Sequence, residues 1–407
     1  MSRHPSQTPA STRLPRTVWL LGWVSLFMDM SSELIHAVLP VYMTTVLGLS
    51  VLTVGFVEGI AEATASVLKA FSGALSDRLG KRKALAVLGY GLSALTKPLF
   101  PLASGAAEVI AARFIDRIGK GIRGAPRDAL LADATPEPLR NAAYGLRQSM
   151  DTVGAFLGPL AAIALLWWLH DRLRLLLWFG VLPALVAVGI LALGVREPDG
   201  LRARAPRVRD AGSGRAPRFA AARALPPAYW GVVAMAGVFT LARLSEAFLV
   251  LRAQQQGVAL LWIPLVTLAF SLVYALSAYP SGLLAQRYGR RVPLLTGMAV
   301  LLVSMLLLAL PGMPALWLGV ALYGLHLGLT QGVFAAAVAA SAPIALRGTA
   351  FGLYYLIIGL LQLLAGLGAG WLWQRFGAQA AFGAGAAMAA AALLLAALRA
   401  GGGARSG

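Results

Sequence analysis

Apolar runs long enough to cross a bilayer as helices recur twelve times in this chain, and no other feature constrains its fold so tightly. A lipid core offers no water to unpaired peptide groups, so such runs must close their hydrogen bonds internally, as helices. The runs are expected at Thr17 to Leu47, Val51 to Leu75, Ala84 to Ala103, Ala107 to Leu131, Ala142 to Leu169 and Leu173 to Val195, then at Ala228 to Leu251, Ala259 to Leu284, Val292 to Leu310, Ala315 to Ala340, Thr349 to Trp373 and Ala378 to Leu398. The composition agrees, with 58% hydrophobic and only 13% charged residues, where a soluble domain has about a quarter charged. The fold class is therefore an all-α integral membrane protein, twelve transmembrane helices in two six-helix pseudo-repeats. The expected division is a tail at residues 1–16, a bundle at 17–195, a linker at 196–226 with eight Arg, a second bundle at 227–398 and a tail at 399–407.

A net charge of +19 and a pI of 11.2 would suggest a nucleic-acid partner in a soluble protein. Here most Lys and Arg fall in the termini and in alternate loops, which is the pattern that holds those segments on the cytoplasmic side. The charge reports topology, with both termini cytoplasmic, and no nucleic acid is expected. No cysteine is present, so disulfides and thiolate metal sites are excluded.

Between the second and third runs lies Gly73-Ala-Leu-Ser-Asp77-Arg78-Leu-Gly80-Lys81-Arg82, a dense charged turn. A degenerate copy, Gly282-Leu-Leu-Ala-Gln286-Arg287-Tyr-Gly289-Arg290-Arg291, follows in the second half, and Arg140-Asn-Ala-Ala-Tyr144-Gly145 is echoed by Arg347-Gly-Thr-Ala-Phe351-Gly352 at nearly the same spacing. Two matches at one offset, with an Arg-rich stretch between them, indicate parallel repeats. The first loop carries the Gly-x-x-x-Asp-Arg-x-Gly-basic-basic pattern of the major facilitator superfamily, which the chain resembles along nearly its whole length. That resemblance implies a secondary transporter, not an enzyme, in a bacterial cytoplasmic membrane. It also makes Gly73, Asp77, Arg78, Gly80, Lys81 and Arg82 a gating loop, with Asp77 near Gly348; Gln286 beside Arg287 replaces the acid in the second copy.

The fourth run places Arg113, Asp116, Arg117, Lys120, Gly124 and Arg127 within about 100° of one helical face. Each such charge facing lipid at mid-depth would cost about 2.5–3.5 kcal/mol, so this face must meet an aqueous cavity or partners. Arg117-x-x-Lys120-Gly121 resembles the Arg-x-x-Gln-Gly pattern linked in the family to proton transfer. In the first run Asp29, Glu33 and His36 share a face, and the second run adds Glu58 and Glu62. Desolvated carboxylates and an imidazole can load and release protons, so Asp29, Glu33, His36, Glu58, Glu62, Asp116 and Arg117 are the candidate coupling groups. Structural pairing with Lys69, Lys97, Arg113 or Arg117 is the competing role for each acid, and a hard metal at Asp29, Glu33 and His36 is a lesser alternative.

The candidate substrate cavity comprises Lys97, Arg113, Arg117, Lys120, Arg147, Asp151, Arg243, Glu246, His326 and Gln331. Gly154-Ala-Phe-Leu-Gly158-Pro159 resembles part of the antiporter motif of the family. The excess positive charge expected in the cavity, from Lys97, Arg113, Arg117, Arg123, Arg147 and Arg243, points to a small organic anion, while Asp29, Glu33 and Glu62 keep a proton-driven drug exporter as the alternative; a non-transporting receptor is a more distant one. The chain has no phosphate loop, catalytic nucleophile signature or zinc helix, and no cofactor is expected. The expected partners are a small-molecule substrate, protons and the lipid bilayer, and the expected state is a monomer.

Overall fold

The computed structural model describes residues 14–79, 82–196, 224–343 and 346–403; of residues 69–79, 141, 347–348 and 397–403 it describes the backbone alone. The first half holds α1 (Arg16–His36), α2 (Val51–Leu79), α3 (Arg82–Thr96), α4 (Ala106–Asp133), α5 (Arg140–Trp168) and α6 (Leu173–Phe179, resuming as Val181–Gly189). The second holds α7 (Pro227–Ala242, resuming as Glu246–Gln255), α8 (Pro264–Tyr288), α9 (Arg291–Ala309), α10 (Met313–Ser341), α11 (Arg347–Phe376) and α12 (Ala378–Gly403). Eleven helices or helix pairs among the described residues are long and apolar enough to cross a membrane. The span missing from that set is α4, whose charges are turned inward, with Arg113, Asp116, Arg117 and Arg123 all buried.

Several expected spans are interrupted. The first helix stops at His36, re-forms at Leu39–Val41 and ends in a π-helical turn at Tyr42–Val46, and α3 breaks at Lys97-Pro98 before a short turn at Leu99–Leu102. A proline lacks the amide that the preceding turn would use, which accounts for the interruptions near Pro40 and Pro98. The linker expected at 196–226 lies almost entirely outside the described residues.

Each half uses the same neighbours. In the first, α1 packs on α5, α3 on α4 and α6, and α2 on α4; in the second, α7 packs on α11, α9 on α10 and α12, and α8 on α10. The halves meet along two seams, α2 against α11 and α5 against α8. Along the first seam Gly55 and Gly59 face Gly366 and Leu363, and Gly370 rests on Leu52. Any Cβ at Gly55 or Gly366 would press on the opposite backbone carbonyl, so the seam depends on bare backbones.

The apolar core is divided unequally along the membrane normal. At the end away from the N-terminus a single cluster joins both halves, with Val38, Tyr42, Val54 and Val57 packed into the same core as Phe248, Leu251, Ile263 and Trp373. At the end that carries the N-terminus there are two separate cores, one around Val18, Leu21, Tyr90 and Leu191 and another around Tyr229, Val233, Val338 and Ala350. Among the described residues, the halves thus share one apolar core at the far end and keep separate cores at the near one. Arg252, read from sequence as lying just beyond its helix, is buried at this seal and caps α9. Its guanidinium donates to the carbonyls of Leu308 at 2.8 Å, Ala309 at 3.2 Å and Leu310 at 2.9 Å, satisfying the last acceptors of that helix with a cation placed to suit its dipole.

Candidate substrate cavity

Between the halves, just below the seal, lies a cavity of about 300 Å³. Its first-half wall is Glu33 and His36 of α1, Glu58 and Glu62 of α2, and Arg113, Arg117 and Lys120 of α4. Its second-half wall is Arg243, Ser245 and Glu246 at the break in α7, Thr267 of α8, Tyr323 and Gln331 of α10, and Gln362 of α11. Both six-helix halves therefore contribute to one space.

The first-half wall is an ordered polar network. Arg113 donates through Nη2 to both oxygens of Glu58 at 2.5 Å, a charge-assisted pair with both side chains buried. Its Nη1 reaches His36 Nε2, and Arg117 Nη2 approaches the same nitrogen at 3.3 Å. A guanidinium can only donate, so His36 Nε2 must accept and carries no proton; the ring proton sits on Nδ1, which faces Glu33 at 3.7 Å. Arg117 Nη1 lies 3.6 Å from Glu62. In this state His36 works as a neutral bridge, fixing two arginines on one side and a carboxylate on the other.

The second-half wall is organised by the break in α7. Arg243, Leu244 and Ser245 leave the helical conformation, and Ser245 caps the resumed helix through a contact from the Ala247 amide at 3.4 Å. The freed carbonyl of Leu244 accepts from the Tyr323 hydroxyl at 2.7 Å, so the interruption leaves that group satisfied. Tyr274 donates to Gln331 Oε1 at 3.1 Å. Thr267 is buried and its hydroxyl has no hydrogen-bond partner.

Residues 21–266 and 247–402 match the family described as Major Facilitator Superfamily. An uncharacterized MFS-type transporter of Methanocaldococcus jannaschii is 31% identical over 369 residues, covering 89% of each chain. The chain belongs to the major facilitator superfamily. In fold it is similar to a mutant of the nucleoside transporter NupG (TM-score 0.76, 13% identity, 94% of this chain and 98% of that one). It is also similar to a bacterial homolog of the human lysosomal transporter Spinster in an inward-facing, occupied conformation (TM-score 0.71, 16% identity, 93% and 94%). This major facilitator is accordingly a multi-pass membrane transporter and not an enzyme.

The facilitator's cavity gathers Glu33, His36, Glu58, Glu62, Arg113, Arg117, Lys120, Arg243, Glu246 and Gln331 of the residues singled out from sequence. Six others lie elsewhere. Lys97 and Asp116 form a buried pair at 3.1 Å, with Lys97 also donating to Ser32 at 3.1 Å, behind the wall rather than in it. Arg147 pairs with Asp151 on its own helix, one turn away, and lies 3.7 Å from Asp128. His326 is fully buried against Tyr323 and Phe239 with neither ring nitrogen hydrogen-bonded. Asp29, also a coupling candidate, does not line the cavity.

These placements correct the expected positive excess: the lining carries four carboxylates, Glu33, Glu58, Glu62 and Glu246, against four cations, Arg113, Arg117, Lys120 and Arg243. Among the described residues no cluster of three or more metal-ligating side chains occurs. In the gating loop, Gly80 and Lys81 lie outside the described residues, and Gly73, Asp77, Arg78 and Gly348 are described in their backbone alone. Arg82 pairs with Asp133 at the foot of α4, while Gln286 and Arg287 are exposed at the end of α8, where Gly289 takes φ +80°. Sequence reasoning missed Ser245 and Thr267. A Ser followed by Glu is a helix-start signal, and it was readable at Ser245-Glu246.

Proposed function

We propose that this facilitator is a proton-coupled secondary transporter that moves a small organic solute bearing an anionic group, by rocking its halves about the central cavity. The observation that carries this reading is the cavity itself, closed at the far end and lined by unpaired charges from both halves. Among the described residues Lys120 of α4 and Arg243 of α7 form no ion pair, and they offer an anionic group one cation from each half. A solute held by both would draw the near ends together, which is the differential contact that lets a ligand bias a conformational equilibrium. The Arg-rich near end supports a cytoplasmic orientation for both termini in a bacterial inner membrane, and the parted cores at that end then make this the inward-open state.

For the proton, Glu33 is the coupling site in this reading. Among the described residues its one ion-pair contact is with the neutral His36, and closing the cavity over an unpaired carboxylate is less costly when the carboxyl carries a proton. A lipophilic drug, by contrast, would meet a wall of charged side chains with little apolar surface to cover it. The test is proton movement in liposomes on addition of small carboxylates. Glu33→Gln is expected to abolish substrate-driven proton flux while retaining substrate binding; a flux equal to that of the parent would refute the assignment of Glu33.

A further inference from the structure

The charges that line the cavity fall into two sets. Arg113 holds Glu58, and Arg117 lies beside Glu62, so these four neutralise one another within the first half. The remainder are Lys120 and Glu33 from the first half, Arg243 and Glu246 from the second. Among the described residues, Lys120, Arg243 and Glu246 form neither an ion pair nor a side-chain hydrogen bond, and Glu33 reaches only the neutral His36. Glu246 is also the only acidic residue in the second half, and it stands exposed to the cavity at the first position of the resumed α7 helix. Thr267, a residue 4% exposed whose hydroxyl has no partner among the described residues, lines the same space.

A purely anionic solute would suit Lys120 and Arg243 but would be brought up against the carboxylate of Glu246. A purely cationic one would suit Glu246 and be repelled by the two cations. Protonating Glu33 neutralises one acid and leaves the other unmatched. A solute with an anionic and a cationic group satisfies the whole set, with the hydroxyl of Thr267 free to donate or accept between them. We propose that the substrate of this cavity is a small zwitterion, its anionic group held by Lys120 and Arg243 and its ammonium group held by Glu246. This rests on the transporter reading above and narrows the anion named there: Glu33 takes the proton, Glu246 takes the substrate's own cation.

The test uses the purified full chain in detergent and in liposomes, with a ladder of ω-amino acids from β-alanine to ε-aminocaproate, together with glycylglycine. Each is paired with its N-acetyl derivative, which keeps only the anion, and its methyl ester, which keeps only the cation. Binding is read from the shift in the thermal unfolding midpoint, and transport from proton flux. The best zwitterion is expected to bind about tenfold or more tightly than either derivative, the scale of one well-placed charge pair. Glu246→Gln is expected to remove the advantage over the N-acetyl form and leave binding of that form intact; Arg243→Gln is expected to remove the advantage over the ester. N-acetyl forms that bind as well as their parents and drive proton flux would overturn the zwitterion and leave the transporter reading standing. Absence of both binding and flux across the whole ladder would overturn both. A Glu246→Gln variant that binds all three forms as the parent does would overturn the role given to Glu246.

Discussion

Arg113→Gln is expected to lower the unfolding midpoint of the purified protein sharply, with a loss of about 3–5 kcal/mol, the range found when one member of a buried ion pair is removed. The reason lies in Glu58, which is 7% exposed and has both oxygens committed to the Arg113 guanidinium. Without that partner a carboxylate only 7% exposed is left in the wall with little solvent to take over. Arg113→Met combined with Glu58→Leu is expected to recover most of the stability, because an apolar pair of similar volume avoids the desolvation of both ions. It is not expected to recover transport, since His36 would lose one of the two donors that orient it toward Glu33. Thermal unfolding in detergent separates the outcomes: a single Arg113→Gln variant as stable as the parent would show that the pair does not hold the wall together.

Gly366→Leu is expected to shift the balance between the two ends of the molecule. A side chain there meets the Gly55 backbone across the α2–α11 seam, where neither chain can give way without parting the helices. Overpacking of this kind costs about 1–3 kcal/mol, roughly a 5- to 150-fold change in the ratio of sealed to unsealed far ends. The absence of cysteine makes the measurement clean, because an introduced thiol is the only one in the molecule. Val54→Cys lies fully buried in the shared core on the far side. In the parent background it is expected to resist a membrane-impermeant maleimide, and in Gly366→Leu to react from the far side only. Equal protection in both backgrounds would show that the seam tolerates the extra bulk.

The sequence displayed what depends on one helix at a time. Apolar runs located the spans, and the 100° periodicity placed Arg113, Arg117 and Lys120 of α4 on a common face, where the cavity lies. It could not display what depends on two helices at once. Lys97 looks like a cavity cation until Asp116 is found opposite it, and the distance between α3 and α4 that joins them is set by the contact of Gly89 with Gly119, not by either residue's spacing in the chain. Arg147 and Asp151 were legible as a one-turn pair, and that pairing satisfies Arg147 away from the cavity. The break in α7 contains neither Gly nor Pro across Leu241-Ala-Arg-Leu-Ser245, and its one local signal is the helix start at Ser245-Glu246. Tertiary bonding sustains it instead, through Tyr323 on a helix distant in sequence. For the same reason Arg252 gave no sign that it caps α9.

The two ends of this molecule are closed by different materials. Opening the far end separates Val54 and Val57 from Phe248 and their neighbours, and so brings apolar surface from a shared core into water. Exposure of that kind carries a positive heat capacity, so its enthalpy and entropy change with temperature. Among the described residues the near end has no shared core to dissolve, because each half keeps its own. Exchange between the two states should therefore follow a curved van't Hoff plot, with the curvature belonging to the far door alone.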